Sequence, residues 1–245
     1  MVENHRNWPR NIEYHISRKK EYNNNNKSII IIISMLIQTQ QIFQILQYHN
    51  IHISGALHIG AHECEEIHFY HQLGLSMNDV IWIEAIPNKV QEAKNRNIPN
   101  IFQAVITDKN DEIVEFNIAN NGQSSSVLDF GTHSQEHPWV VFTEKIQLKT
   151  ITINSFFERN GIDGTKYNFW NFDIQGAELM ALKGATKYIE YAKAIYLEVN
   201  EKELYKGCGL IDEIDTFLAA YGFKRILTNM TSHGWGDALY VKTDI

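Results

Sequence analysis

Beyond residue 50 the chain alternates between short apolar runs and amphipathic stretches, the pattern of a mainly parallel sheet with helices on both faces. Five runs, at 56–60, 79–85, 100–106, 167–174 and 192–199, are apolar, β-branched or aromatic and bounded by turn residues, which predicts buried strands. Between them, 65–73, 87–96, 176–189 and 210–221 carry helical periodicity. Pro87 suits a first helical turn and Gly222 the position just past a last one. The runs 223–229 and 238–242, joined by the turn-rich 231–236, predict a closing antiparallel hairpin. The fold class is α/β, a doubly wound and mostly parallel sheet with an antiparallel C-terminal hairpin.

One segment breaks the alternation. Within 112–146 a strand is expected at 112–119, followed by the polar stretch 120–126; long loops in compact domains serve recognition more often than decoration, with disorder as the alternative. Before the sheet, residues 1–27 are polar and end in four asparagines, too poor in apolar groups to offset the entropy of ordering. Residues 37–48 place apolar side chains among glutamines at helical spacing and predict a helix laid against the domain. The expected organisation is a leader and N-terminal helix over 1–50 and one domain over 51–245.

Bulk properties narrow the function classes. At 245 residues, 44% of them hydrophobic, the chain can bury one sizeable core. A formal charge of −7 lacks the basic field of proteins that grip phosphate backbones, so nucleic acid is not the expected partner. Cys64 and Cys208 make neither a disulfide framework nor a CxxC pair, which fits a reducing, cytoplasmic setting. The most apolar run, 28–37, has ten residues, against roughly 20 for a membrane span. It reads as a buried or interface-covering segment.

The candidate chemistry collects at the carboxyl ends of the strands, where open α/β sheets bind ligands. His58-Ile59-Gly60-Ala61-His62 turns from strand to helix, and Gly60 and Ala61 let a ligand approach the backbone near free helix N–H groups. The same turn needs a glycine for structural reasons, and no GxGxxG is present. Glu84 ends the second strand, 24 positions after Gly60, where a carboxylate accepts ribose hydroxyls. Asp173 ends the fourth strand and Glu198 lies near the end of the fifth; the two can supply a general base for a hydroxyl nucleophile or hold a divalent ion. Glu178 either serves this site or complements a helix dipole. His233, in His-Gly-Trp-Gly-Asp (233–237), is either a proton acceptor beside an aromatic sugar-binding face or an exposed turn residue.

Taken together these strings resemble the FkbM-type methyltransferases across roughly residues 54–242. FDIQGAELMALKGA (172–185) resembles the family's strand-and-helix signature. LHIGAHECEE is similar to its cofactor loop, WIEAIP to its ribose-binding strand, and Ser124–Ser126 to its serine-containing loop. His58 stands where many members have an acidic residue, and Ala61 and Cys64 replace small or glycine positions of a fuller loop. A terminal antiparallel pair also fits class I, Rossmann-like methyltransferases better than nicotinamide-binding domains.

The resemblance implies transfer of a methyl group from S-adenosylmethionine (SAM) to a hydroxyl, often on a sugar or polyketide-like acceptor. Carried over by position, it puts Gly60 and Glu84 at the cofactor and Asp173 beside the methyl donor. With the residue reading above, the cofactor candidates are Gly60, Ala61, His62, Glu84, Ala85, Ser125 and Asp173, the catalytic candidates are Asp173, Glu198 and His233, and no residue is assigned to a metal. Asp108 falls where adenine would lie in such a site and is equally a turn-forming aspartate before Lys109-Asn110-Asp111. The expected partner is a small-molecule or glycan acceptor. Rival readings are a noncatalytic module with the same fold, an RNA ribose methyltransferase and, further off, an NAD-dependent dehydrogenase.

Overall fold

The computed structural model describes residues 35–243, and within them the period-two and period-3.6 patterns become three layers. In chain order the elements are α1 (Thr39–Tyr48), β1 (Ala56–Ile59), α2 (Ile67–Gln72), β2 (Val80–Glu84), α3 (Pro87–Asn95) and β3 (Ile101–Gln103). There follow β4 (Val105–Ile106), β5 (Ile113–Ala119), α4 (His133–Glu136), β6 (Phe142–Ile151), α5 (Ile153–Arg159) and β7 (Phe169–Phe172). The chain closes with α6 (Glu178–Lys183), β8 (Ala194–Asn200), α7 (Ile211–Ala219), β9 (Phe223–Met230) and β10 (Trp235–Lys242). A seven-stranded sheet runs β3-β2-β1-β7-β8-β10-β9, and β10 inserts antiparallel between β8 and β9. The expected closing hairpin is therefore present, with its last strand inside the sheet.

Alternation along the central strands splits the core in two. Leu57, Ile59, Ile81 and Ile83 face α5, α6 and α7, while Ala56, Val80 and Trp82 face α1, α2 and α3. Each side chain buried in this way contributes on the order of 2 kcal/mol of transfer free energy. α1 docks through Ile42 and Leu46, the apolar face predicted for it.

Three expectations change. The third strand, expected unbroken over 100–106, stops at Gln103; β4 then leaves the main sheet to pair with β6 in a small β4-β6-β5 sheet. β6 was not anticipated, because half of its residues are exposed, only Thr150 is buried and it lacks an apolar run. The helix expected over 176–189 ends at Lys183, since Gly184 packs so closely that a Cβ there would lie 2.3 Å from the carbonyl oxygen of Thr107. The polar leader 1–27 lies outside the described residues, as does all of the 28–37 run except Met35–Ile37, of which Ile37 is buried.

Candidate functional site

The carboxyl ends of β1, β2, β7 and β8 open on one cavity of about 520 Å³. β1 leaves the sheet at Gly60, whose φ of +88° and missing Cβ let the chain turn against the end of β7. The N–H groups of Gly60 and Ala61 both donate to the carbonyl of Ile83, which ties the turn to β2. Gly60 and His62 line the cavity, whereas Ala61 is 1% exposed and packs into the core beneath the turn.

Glu84 closes the same loop from the other side. One carboxylate oxygen accepts the His62 N–H at 2.7 Å and the other the Ile86 N–H at 2.7 Å. Burial raises its pKa against the pull of those two N–H groups. Each oxygen keeps a second lone pair, so a carboxylate held this way can still receive a ligand hydroxyl. His62 bonds through Nδ1 to Glu65 at 2.8 Å; burial alone would lower its pKa, but this partner raises it.

Beyond Ala85, which also lines the cavity, the wall becomes apolar through Ile86, Val105, Ile106 and Phe116. Asp108 is exposed and lies outside the cavity lining, in a turn closed by Thr107, whose hydroxyl donates to the carbonyl of Lys109 at 3.1 Å. Ser125 does line the cavity, with its hydroxyl spanning the loop from the N–H of Ala119 to the carbonyl of Gly122.

Asp173 and Glu198 meet at the centre through Gln175, to which the sequence reading assigned no role. The Gln175 amide nitrogen donates to Asp173 at 2.6 Å and to Glu198 at 2.9 Å, and its carbonyl oxygen accepts the Tyr205 hydroxyl at 2.6 Å. Gln175 holds a left-handed φ of +55°, and its own backbone carbonyl accepts from Ser126. Burial raises both carboxyl groups, and the neighbouring negative charges add to the rise. An amide thus spans the two carboxylates that could have held an ion, and among the described residues no three His, Cys, Asp or Glu side chains are grouped to hold a metal. Glu178 is 1% exposed and accepts the Ile174 N–H at 3.0 Å, which clamps the loop under Asp173.

His233 lies outside the cavity lining. It bonds Glu136 at 2.7 Å, and Glu136 also takes Lys202 at 2.5 Å. Besides His62, the histidines that line the cavity are His133 and His137, from α4 and the residue after it. His133 is 5% exposed and stacks on Phe130 at 4.3 Å; burial lowers its pKa to about 4, and its Nδ1 has no partner among the described residues. His58 is neutral by the same physics, lowered to about 4 by burial, and bonds Tyr70 at 2.8 Å away from the cavity. A histidine four positions before an aromatic pair (133, 137, 139) was a readable clue to this wall, but nothing local placed it over strands that lie 30 or more residues away.

The methyltransferase FkbM domain family matches residues 58–225. No curated protein matches the chain in sequence. Among solved structures, magnesium protoporphyrin IX methyltransferase from Synechocystis PCC 6803, with bound SAM, is 13% identical with a TM-score of 0.40, covering 83% of this chain and 79% of that one. A SAM-dependent methyltransferase from Bacteroides fragilis in complex with S-adenosyl-L-homocysteine is 8% identical with a TM-score of 0.41, covering 84% and 78%. A sarcosine dimethylglycine methyltransferase assigned in Galdieria sulphuraria is 9% identical with a TM-score of 0.42, covering 84% and 85%. The chain belongs to the FkbM methyltransferase family. Among the described residues no helix is long and apolar enough to cross a membrane.

Proposed function

We propose that this chain is an O-methyltransferase that moves a methyl group from SAM to a hydroxyl of a sugar or glycan. One observation carries the reading: Glu84 and Asp173 face a single cavity from strands on either side of β1, with the bare backbone of Gly60 between them. The cavity volume of about 520 Å³ lies within the range of small-molecule and cofactor sites. Its residues suit a nucleoside-type donor. Glu84 can accept ribose hydroxyls, the wall of Ile86, Val105 and Ile106 can cover an aromatic base, and the Gly60 turn admits a polar chain close to the backbone.

When bound, the donor supplies an electrophilic methyl group on a sulfonium. The chain's own contribution is positioning, together with a proton acceptor. Asp173 and Glu198, held in register by Gln175 and raised in pKa, can orient an acceptor hydroxyl and take its proton. Among the described residues no lysine or arginine lines the cavity, which favours a small acceptor over an RNA phosphate backbone. Incubation with methyl-labelled SAM and a panel of glycosides, followed by NMR of the product, tests the reaction: an O-methyl resonance is expected, and label only on nitrogen or carbon contradicts it.

A further inference from the structure

The acceptor half of the cavity carries a charge pattern that selects its ligand. Among the described residues six carboxylates line the cavity, Glu65, Glu66, Glu84, Asp173, Glu198 and Asp237, and no lysine or arginine does. Glu84 and Asp237 stand four strand spacings apart along the sheet, roughly 19 Å. The Asp237 end is therefore distant from the Glu84 end that suits a donor.

There, Glu198 on β8 and Asp237 on β10 are directly opposite in the antiparallel register, each 7% exposed. Opposed residues share a face with Cβ atoms about 5 Å apart, and like charges so placed repel. Their local partners occupy one oxygen of each. Glu198 Oε2 takes the Gln175 amide, and Asp237 Oδ2 takes the Leu36 N–H and the Tyr196 hydroxyl. Glu198 Oε1 and Asp237 Oδ1 accept nothing from the described residues.

Two further features line the same cavity. Trp235, two residues before Asp237 and so on the same face of β10, also lines the cavity and offers a π-face to a cation. His133, 5% exposed and lining the cavity, has a ring nitrogen without a partner among the described residues. We propose that Glu198 and Asp237 hold a protonated amine of the acceptor beside Trp235, so that the acceptor is a hydroxylated amine of the amino-sugar class. This deepens the methyltransferase reading above and rests on it. An amine held as ammonium has no lone pair to be methylated, so the pattern directs the methyl group to a neighbouring hydroxyl.

The test uses p-nitrophenyl glycosides, whose nitrophenyl group quenches tryptophan fluorescence on binding. The glucosaminide, its N-acetylated form, the glucoside and the glucuronide are titrated into the full chain, with and without saturating S-adenosylhomocysteine. The glucosaminide is expected to bind about ten-fold or more tightly than the N-acetylated and neutral probes, and the glucuronide most weakly. Glu198→Gln is expected to abolish the preference for the amine while keeping affinity for S-adenosylhomocysteine. Equal behaviour of the four probes, or tighter binding of the glucuronide, overturns the proposal. Failure to bind S-adenosylhomocysteine while the amine preference persists would instead count against the methyltransferase reading.

Discussion

Gly60 and Asp173 meet backbone to backbone: a Cβ on Gly60 would lie 1.8 Å from the Asp173 carbonyl oxygen, and the Asp173 N–H donates to Ile59 at 2.9 Å. This contact brings the two central strand ends together under the cavity. Gly60→Ala should therefore cost about 3–5 kcal/mol, far more than a surface change. At Gly161 the Cβ position is open, and alanine there should cost only about 1 kcal/mol. Thermal unfolding of the two variants checks the difference, which should appear as a gap in Tm of roughly 5 °C or more.

Gln175 is the second test point, because one amide serves two carboxylates. Gln175→Leu removes donors that favour the charged forms of Asp173 and Glu198, so both should become harder to ionise. Methyl transfer should fall at least about ten-fold, and the acidic limb of the pH–rate profile should move to higher pH. Affinity for S-adenosylhomocysteine should fall by less than the rate does, since the Glu84 end is untouched while Asp173 loses a partner. Tyr205→Phe, which removes only the hydroxyl bonded to the Gln175 side chain, should give the same shift in weaker form.

Much of this site was legible one strand at a time and little of it across strands. Glu84 and Asp173 could be picked out because each ends a run rich in apolar and aromatic residues, and the turn at Gly60 because glycine interrupts such a run. The mostly parallel sheet and closing hairpin followed from the same periodicity. Asp108 falls outside the lining because the strand before it leaves the main sheet after Gln103, a change set by pairing with β6 rather than by anything local. β6 itself was hidden by its exposed side chains. Gln175, Tyr205 and Asp237 act through partners 23, 30 and 201 positions away, and no local pattern carries that information.

Asp237 also sets a pH dependence. Burial pushes its carboxyl up to about 7 from an ordinary 3.8, so the folded state holds a proton that the unfolded chain releases between those values. Its stabilising share is complete below about pH 4 and is lost as pH rises through 7, amounting to no more than about 4 kcal/mol. Asp237→Asn keeps the shape without the titration. Its Tm should exceed that of the wild type at pH 8, with the gap narrowing as pH falls and closing below about pH 4. A constant gap across that range would show that Asp237 does not titrate there.

The central claim is that the cavity between Glu84 and Asp173 holds a SAM-type donor. Isothermal titration with S-adenosylhomocysteine tests it most directly, on wild type and Glu84→Gln, with NAD as control. The account predicts one-to-one binding of S-adenosylhomocysteine to the wild type, affinity about ten-fold weaker in Glu84→Gln, and no heat from NAD. Absence of binding, or equal affinity in the two proteins, would contradict it.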